Sequence, residues 1–264
     1  MMNQRWDGGR DKYRPAGEVI QTEAYDVAPV HRDVAKAFVL RHHYSGTFPA
    51  ARFCHGLARR GELVGVAVFS HPVQDRVITK VFPFEEATAG VELGRFVLED
   101  SVPGNGETWF LARAFEILTR AGIEGVVSFS DPMRRRSSDG RVVLPGHVGT
   151  IYQAHNAVYL GRGDARILKL LPDGRSFNHR AEQKIRRRES GWQYAAAQLE
   201  AHGAAPLLQD EDSAAWLRLW LPRLTRAAHH GGNHKYAWGL DRAVRRALPR
   251  TLPYPKAIDE EVAA

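Results

Sequence analysis

The sequence predicts a mixed α/β fold, in which helices flank a central sheet over residues 25–172 and a mostly helical, basic extension follows over 173–264. Three observations lead to this prediction. Short apolar runs alternate with helix-length amphipathic segments in the first part of the chain, as in a sheet covered by helices. Polar helical patterns dominate the second part. The excess of positive charge also lies in that second part.

The composition is that of an ordinary globular protein. Of the 264 residues, 44% are hydrophobic and 25% are charged, which is enough to bury a core. No run of about 18 uncharged apolar residues occurs, so we expect no membrane-spanning helix. Residues 1–24 are polar and Gly-rich; they lack the apolar region of a secretory signal and are predicted to form a loosely held arm. Cys54 is the single cysteine, which excludes a disulfide framework, a zinc ribbon and an iron–sulfur cluster. These features predict a cytoplasmic protein.

The elements of the first part follow from hydrophobic periodicity. Strands are predicted over 53–59, 63–70, 91–99, 125–130, 157–160 and 166–171, and helices over 30–41, 108–121 and 146–157, with a loop over 133–145. Gly122 ends the second helix, because glycine adopts the left-handed conformation of a helix C-cap at little cost. The uninterrupted apolar run of 125–130 is typical of a buried parallel strand.

The extension is predicted to be helical over 181–191, 193–202 and 213–230, with a kink at Pro222. Residues 231–240 (GGNHKYAWGL) interleave aromatic side chains with Lys and His. This pattern favours a surface that stacks on bases and binds phosphates. Alternatively, the segment packs Trp238 and Leu240 onto the core, and both descriptions can hold at once.

The positive charge is unevenly spread along the chain. Residues 1–160 carry 19 Lys and Arg against 18 Asp and Glu, whereas residues 161–264 carry 18 against 12. Grouped cations favour a polyanion, because affinity arises from counterion release at several phosphates together. Free use of arginine on solvated faces by a high-GC genome is the alternative. The predicted DNA-binding residues are Arg186, Arg187, Arg188, Lys235, Arg242, Arg245 and Arg246.

A strand–loop–helix segment over 91–120 carries the first candidate ligand site. Gly104, Asn105 and Gly106 form its loop and Thr108 opens the helix, so free backbone N–H groups and the positive end of the helix dipole can face an anion. A diphosphate is the usual occupant. A plain turn is the alternative, because neither a Walker loop nor a dinucleotide-binding fingerprint is present.

The second candidate site is the helix over 146–157, where Tyr152 and Asn156 suit ligand contact at the mouth of a sheet. Tyr152 can donate a proton to a leaving group, or it is a core aromatic residue with a satisfied hydroxyl. His42 and His43 are adjacent on one turn and cannot both face one metal without strain. They therefore favour substrate contact or a structural turn, and no metal site is expected.

Several segments together resemble the phage Mom DNA-modification family. They are 42–46, 61–70, 92–99, 105–114, 128–132 and 147–161, and the tail segments 232–240 and 254–256 are also similar. The segment HVGTIYQAHNAVYLG, residues 147–161, is the most specific. The resemblance covers roughly residues 30–172 and implies the GNAT-type acyl-CoA N-acyltransferase fold.

The resemblance also implies acetyl-CoA, or another acyl-CoA, as cosubstrate. Its diphosphate would lie at the loop before the 108–121 helix, with Gly104, Asn105, Gly106, Thr108 and Asn156 as the binding residues. Tyr152, Asp131 and Arg95 are implied as functional, Tyr152 as the proton donor to the departing CoA thiolate. His43, Asp131 and Glu92 are candidates for the base. The sequence departs from the GNAT pattern, because the Q/R-x-x-G-x-G/A phosphate loop is absent.

The acceptor is predicted to be an amino group on DNA. An aliphatic amine on a hypermodified pyrimidine, such as 5-aminomethyl-deoxyuridine, suits plain acyl transfer, whereas the lone pair of the adenine amine is delocalised into the ring. Mom-type carbamoylmethylation of adenine N6 is the alternative. An inactive module that binds nucleic acid and a small-molecule acetyltransferase are further alternatives. The resemblance implies that the modification protects phage DNA from host restriction.

Overall fold

The computed structural model describes residues 2–7, 10–15, 19–259 and 262–263. Its strands are β1 (Met2–Asp7), β2 (Arg10–Pro15), β3 (Tyr25–Pro29), β4 (Ala51–Arg59), β5 (Glu62–Ser70), β6 (Gly90–Leu98), β7 (Gly125–Ser130), β8 (Arg135–Arg136), β9 (Val142–Leu144), β10 (Val158–Arg162), β11 (Arg166–Leu170), β12 (Arg226–His230), β13 (His234–Gly239) and β14 (Val262–Ala263). Its α-helices are α1 (Arg32–His42), α2 (Arg76–Thr79), α3 (Gly106–Arg120), α4 (Thr150–Ala154), α5 (His179–Arg187), α6 (Trp192–Glu200), α7 (Ser213–Leu224) and α8 (Arg242–Ala247).

The chain forms two compact units, each assembled from separate stretches of sequence. The first unit comprises Met1–Pro132, His147–Gly163 and Asn233–Ala257, and the second comprises Met133–Gly146, Asp164–Gly232 and Ile258–Ala264. These units differ from the predicted division at 172/173. The reason is that the chain leaves the first unit three times, after Pro132, Gly163 and Ala257, and returns to it after the first two.

The first unit is built on a seven-stranded mixed sheet with the strand order β10-β13-β7-β6-β5-β4-β3. The pair β6–β7 is parallel, and the other neighbouring strands of this sheet are antiparallel. A parallel pair needs a crossover connection, and α3 provides it. The predicted class, a mixed sheet flanked by helices, is confirmed.

Helices cover both faces of this sheet. On one face, the apolar stripe of α3, including Phe110, Leu111 and Phe115, packs with the largest core cluster. On the opposite face, Ala35 and Val39 of α1 pack against strand residues in a separate cluster. The strands are therefore apolar on both sides, as the sequence of β7 predicts.

The second unit combines short strands with three helices. Strands β8 and β9 form a hairpin, and β11, β12 and β14 form a three-stranded antiparallel sheet. Helices α5, α6 and α7 surround a core that includes Ile185, Trp192, Leu199 and Trp216. The side chain of Asp212 caps α7 by accepting hydrogen bonds from two backbone N–H groups of its first turn.

Several predicted boundaries are wrong. The loop predicted over 133–145 contains β8 and β9, and the helix predicted over 146–157 is reduced to α4. The helix predicted over 213–230 ends as α7 at Leu224, two residues after Pro222, because proline removes a backbone donor near the helix end; strand β12 follows. The predicted N-terminal arm lies partly outside the described residues. Within the described part, β1 and β2 pair and Ile20 is buried in the core.

The segment 231–240 is also not a free surface. Its residues 234–239 form β13, which lies between β10 and β7 inside the main sheet. Tyr236 is fully buried and Trp238 is 6% exposed, so both side chains pack in the core and do not form an open stacking surface. Of the two descriptions left open by the sequence, packing onto the core is correct. No helix in the described ranges has the length and apolar content needed to cross a membrane.

Candidate active site

The central feature of the site is an opening between the two parallel strands of the main sheet. Their pairing runs from Gly90↔Gly125 to Leu93↔Ser128, and then β6 continues to Leu98 while β7 continues to Ser130. At this point β6 bulges against β5, since Val68 pairs with Arg95 and Phe69 with Leu93.

Gly94 is the extra residue of this bulge, and a side chain at this position would be crowded. A Cβ atom there would lie 2.7 Å from the Ser70 Oγ atom and 3.3 Å from Pro49. Bulges end strand pairing and redirect side chains, and they are frequent next to active sites. The bulge therefore explains why β6 and β7 stop pairing at this point and why the Arg95 side chain is turned toward the opening.

Side chains reach the opening from both faces of the sheet. Phe96 packs against Phe110 of α3, so its neighbour Arg95 lies on the opposite face, the face that α1 covers. Ser128 follows Val126 by two residues and therefore lies on the α3 face. Because the strands no longer pair here, groups from the two faces can meet.

Arg95 is held in place by the turn that follows α1. Its Nε atom donates to the Thr47 carbonyl at 3.0 Å, and its Nη2 atom donates to the Thr47 hydroxyl at 2.6 Å. A third bond runs from Nη1 to the carbonyl of Gly94 at 2.5 Å. Several donors of the guanidinium are thus engaged with protein, and its positive charge is fixed beside the opening.

A hydrogen-bonded pair lies next to Arg95. The Tyr44 hydroxyl and the Nε2 atom of His147 are 3.0 Å apart. The backbone N–H of His147 donates to the carbonyl of Asp131 at 2.8 Å, and the Asp131 charge favours protonation of the His147 ring. On the other side, the rings of His43 and Tyr44 are 4.2 Å apart, and His43 Nδ1 lies 2.9 Å from the Ser45 hydroxyl.

Tyr152 approaches the opening from α4. The nearby Ser128 side chain lowers the pKa of its hydroxyl, and its ring packs edge-on against Tyr236 and Trp238. Gly149 caps the helix with φ 71°, where a side chain would collide with the Tyr152 and Tyr236 rings at 2.8 Å. Glycine is therefore needed to start α4 so close to β13.

Burial sets the protonation states of the site. It lowers the pKa of His43 to about 3, with help from the charge of Arg95, and the pKa of His147 to about 4. It raises the pKa of Tyr152 and of Glu92, while the nearby Arg95 lowers both. At neutral pH the two histidines are neutral and can accept a proton, whereas Tyr152 keeps its proton and can donate it.

The four predicted catalytic residues, Tyr152, Asp131, Arg95 and His43, meet in this one site. Sequence reasoning missed two further members, Tyr44 and His147. Both lie in the segments that carry the family resemblance, HHYSG and HVGTIYQ, but only the fold brings residues 103 positions apart to hydrogen-bonding distance.

The predicted cofactor-binding residues are not all brought together. Gly104, Asn105, Gly106 and Thr108 lie at the start of α3, but Asn156 lines a separate cavity beside the C-terminal half of that helix. The loop itself is occupied by protein: the Asn105 Oδ1 atom accepts the Ile20 N–H at 2.7 Å, and the Thr108 hydroxyl donates to the Asn105 carbonyl.

The first turn of α3 also contains an acid. The Glu107 side chain is 5% exposed, so a carboxyl group already lies at the positive end of the helix dipole. A diphosphate at this position would have to approach that group. The sequence did not suggest this repulsion between Glu107 and a diphosphate, because acidic residues are common in the first turn of a helix.

The predicted DNA-binding residues fall into different environments. Arg186 and Arg187 are exposed on α5 in the second unit, and Arg242, Arg245 and Arg246 are exposed on α8 in the first. Arg188 instead stabilises its own unit: Nη2 donates to the carbonyls of Leu208 and Glu211, and the guanidinium lies 4.0 Å from the Trp192 ring centroid. Lys235 is half-buried on β13 beside Phe129. Among the described residues, no group of three or more His, Cys, Asp or Glu side chains is placed to share a metal ion.

Comparison with known proteins gives one family and several solved structures. A sequence model of the Mom protein family matches residues 24–256. The ribosomal-protein-S5-alanine acetyltransferase of Vibrio fischeri is 12% identical, with 55% of this chain and 85% of that chain covered and a TM-score of 0.36. An N-acetyltransferase of Staphylococcus aureus is 11% identical, with 82% and 99% covered and a TM-score of 0.37. A Bacillus subtilis acetyltransferase solved with CoA is 11% identical, with 90% and 99% covered and a TM-score of 0.31. A search of curated protein sequences gives no significant match.

Acidification should destabilise the protein through its neutral histidines. The pKa of His147 is about 4 in the folded chain and about 6.5 when unfolded, so the unfolded state binds more protons in that window. The free energy of unfolding should therefore fall as the pH drops below about 6.5, by about 2 kcal/mol at pH 5 from His147 alone. Urea unfolding at pH 7.5 and 5 measures the difference.

Two variants isolate this effect. His147→Gln should lose less stability between the two pH values than the parent protein, because it lacks the titrating ring. His31→Gln removes a histidine whose side chain is 75% exposed and should retain the parent's pH dependence. Equal losses for the parent and His147→Gln would show that His147 is not held neutral by the fold.

Proposed function

Because the chain belongs to the Mom protein family, we propose that it transfers an acyl group, such as acetyl, from acyl-CoA to an amino nitrogen on a DNA base. The observation that carries the proposal is the opening between β6 and β7, with Arg95, Tyr44 and Tyr152 around it. The Ser130 hydroxyl adds support, because it is buried at the end of β7 and has no hydrogen-bond partner among the described residues. A bound substrate would satisfy that hydroxyl.

On the acceptor side, Tyr44 and His147 form a route for the proton. As the amine attacks the thioester carbonyl, it gives a proton to the Tyr44 oxygen, and the Tyr44 proton passes to Nε2 of His147 over 3.0 Å. The Asp131 charge stabilises the imidazolium that results. This assigns the role of base to His147, with His43 packed behind Tyr44.

On the donor side, Tyr152 supplies the proton that the leaving thiolate needs. The carbon–nitrogen bond forms, the carbon–sulfur bond breaks, and the sulfur takes the Tyr152 proton. Arg95 stabilises the resulting tyrosinate through its charge, since it lowers the pKa of Tyr152. Positioning of both substrates in the opening supplies much of the remaining rate enhancement.

The proposed acceptor is an aliphatic amine on a modified pyrimidine, such as 5-aminomethyl-deoxyuridine. Its lone pair is localised, and its arm projects into the major groove, where it can be reached without unstacking the base. Membership of the Mom family favours a second candidate, carbamoylmethylation of adenine N6. That reaction would require the adenine to be flipped out of the duplex. Either modification would alter phage DNA and hinder host restriction.

The exposed arginines of α5 and those of α8 are proposed to bind phosphates of the DNA backbone. Arg186 and Arg187 belong to one unit, and Arg242, Arg245 and Arg246 to the other. Side chains of this kind bind the backbone without reading sequence, so DNA affinity should be strongly salt-dependent.

The acceptor can be identified by mass spectrometry. The protein and acetyl-CoA are incubated with duplex DNA that carries 5-aminomethyl-deoxyuridine and, separately, with unmodified duplex. We expect nucleoside digests to show an acetyl mass gain on the modified pyrimidine only. An acetyl gain on adenine would make adenine the acceptor, and no gain on any base with either duplex would overturn acetyl transfer to DNA. The second candidate predicts a carbamoylmethyl gain on adenine instead, whose amide nitrogen acetyl-CoA does not supply.

Tyr152→Phe should lower kcat by about 100-fold or more while the acyl-CoA Kd stays within about threefold, because the hydroxyl acts in proton transfer. Tyr254→Phe is the matched control, since its hydroxyl donates to the carbonyl of Ala157 at 2.7 Å and has no part in the reaction. Stopped-flow turnover and calorimetric titration with acyl-CoA separate the two effects. Equal losses of turnover and binding would make Tyr152 a packing residue.

Glu107→Gln tests whether the α3 loop binds the diphosphate. Removing the carboxyl group beside the loop should tighten acyl-CoA binding several-fold, because like charges repel. The same change should cost about 0.3–1 kcal/mol of stability by removing an acid from the first turn of the helix. Calorimetry with acetyl-CoA measures the first effect and urea unfolding the second. Unchanged affinity would place the diphosphate elsewhere.

A further inference from the structure

A second cavity lies in the first unit, away from the opening between β6 and β7. It has a volume of about 420 Å³, within the range of small-ligand pockets. Its walls come from the C-terminal half of α3, the end of α4, the last residues of β13 and helix α8. The mechanism proposed above does not use this cavity.

The walls combine aromatic surface with polar groups. Phe115, Trp238 and His155 contact one another edge-on, with ring centroids 5.2 to 6.2 Å apart. The Nδ1 atom of His155 is buried and has no hydrogen-bond partner within the described part of the chain. Asn156, also on the wall, is exposed and has φ 56°, a left-handed conformation that costs free energy in any residue other than glycine.

The charge at the cavity is positive. Arg245 lines it, with its Nε atom 3.4 Å from the Gly239 carbonyl, and Arg246 is exposed beside it on α8. Glu116 is the acid of the wall, and its charge is balanced by Arg113 at 2.6 Å. The ligand that matches these walls has a flat ring, hydrogen-bonding edges and a negative charge.

We propose that this cavity binds one nucleotide of the DNA at a position remote from the reacting base, with the phosphate at Arg245 and the base against the aromatic wall. This inference rests on the proposed function, because the nucleotide is taken to belong to the DNA that the protein modifies. In β13, His234 pairs with Ser130 at the end nearer the opening, whereas Gly239 pairs with Gly125. These two positions are about 17 Å apart at about 3.4 Å per residue. The nucleotide in the cavity is therefore not the one that carries the reacting base.

The phosphorylated adenosine of CoA has the same chemistry as such a nucleotide, so the two sources must be separated. Helix α3 provides the argument for DNA. Asn105 at its start and Glu116 at the cavity are about 16 Å apart at 1.5 Å per residue. A CoA with its diphosphate at Asn105 would have to extend its adenosine over that distance to reach the cavity. Arg245 of α8 lines the cavity, and Arg242 and Arg246 are exposed on the same helix, so neighbouring phosphates of one DNA strand would each have a cation close by.

The experiment uses the full chain and calorimetric titration with 2′-deoxyadenosine 5′-monophosphate. Arg245→Gln removes the cation, and Ala112→Leu fills the cavity with a side chain that favours helix, which keeps α3 intact. Arg120→Gln is the matched control, because Arg120 is exposed at the end of α3 but does not line the cavity. We expect the first two variants to weaken binding about tenfold or more and the control less than twofold.

Equal losses for Arg245→Gln and Arg120→Gln would overturn the proposal, because the attraction would then be a general effect of positive charge. Unchanged binding by Ala112→Leu, or no binding by the parent protein at millimolar nucleotide, would overturn it as well. Displacement of the nucleotide by acetyl-CoA or by 3′-phosphoadenosine 5′-diphosphate would assign the cavity to the cosubstrate instead. Independent binding of the two supports the DNA assignment.

A separate readout distinguishes this proposal from the proposed function. Acetyl transfer to the free nucleoside 5-aminomethyl-2′-deoxyuridine needs the opening but not the cavity. If the parent protein transfers the acetyl group but binds no nucleotide, only the cavity proposal fails. If the nucleotide binds as expected but no acceptor is ever modified, the proposed function fails and the nucleotide site stands.

Discussion

The site depends on the point at which two parallel strands stop pairing. Parallel strands need a crossover, and α3 makes it over one face of the sheet. Beyond Leu93 and Ser128 the strands separate, and the bulge at Gly94 turns β6 away. A sheet normally keeps the side chains of its two faces apart. Here the separation lets Arg95 from one face and Tyr152 from the other act in the same space.

The same burial produces an acid and a base at one pH. Removing a charge from water is costly, so burial favours the neutral form of each group. For His147 the neutral form is a proton acceptor, and for Tyr152 it is a proton donor. The nearby cation of Arg95 lowers the pKa of Tyr152 and so favours its ionised form. In the same environment, the neutral imidazole of His147 can therefore accept a proton and the neutral phenol of Tyr152 can donate one.

The C-terminal strand is part of the support for this site. Strand β13 returns to the first unit after residues 164–232 and lies beside β7. From β13, the Tyr236 hydroxyl donates to the Val148 carbonyl, and the Trp238 indole donates to the His155 carbonyl at 3.1 Å. These bonds hold the two ends of α4 and thereby position Tyr152. A segment that looks like a basic, aromatic tail is thus a structural element that supports the candidate active site.

Local patterns in the sequence were enough to predict the mixed α/β class, α3, β5 and β7, because amphipathic periodicity and turn residues act over a few positions. Functional roles for Tyr152 and Arg95 are implied by the family resemblance and stay a prediction. The local patterns could not give the role of 231–240, since a strand buried on both faces has the same composition as an aromatic surface. They also could not pair Tyr44 with His147, because that contact spans 103 positions and exists only when the sheet is assembled. The protonation states were equally beyond the sequence, since burial, not residue type, determines them.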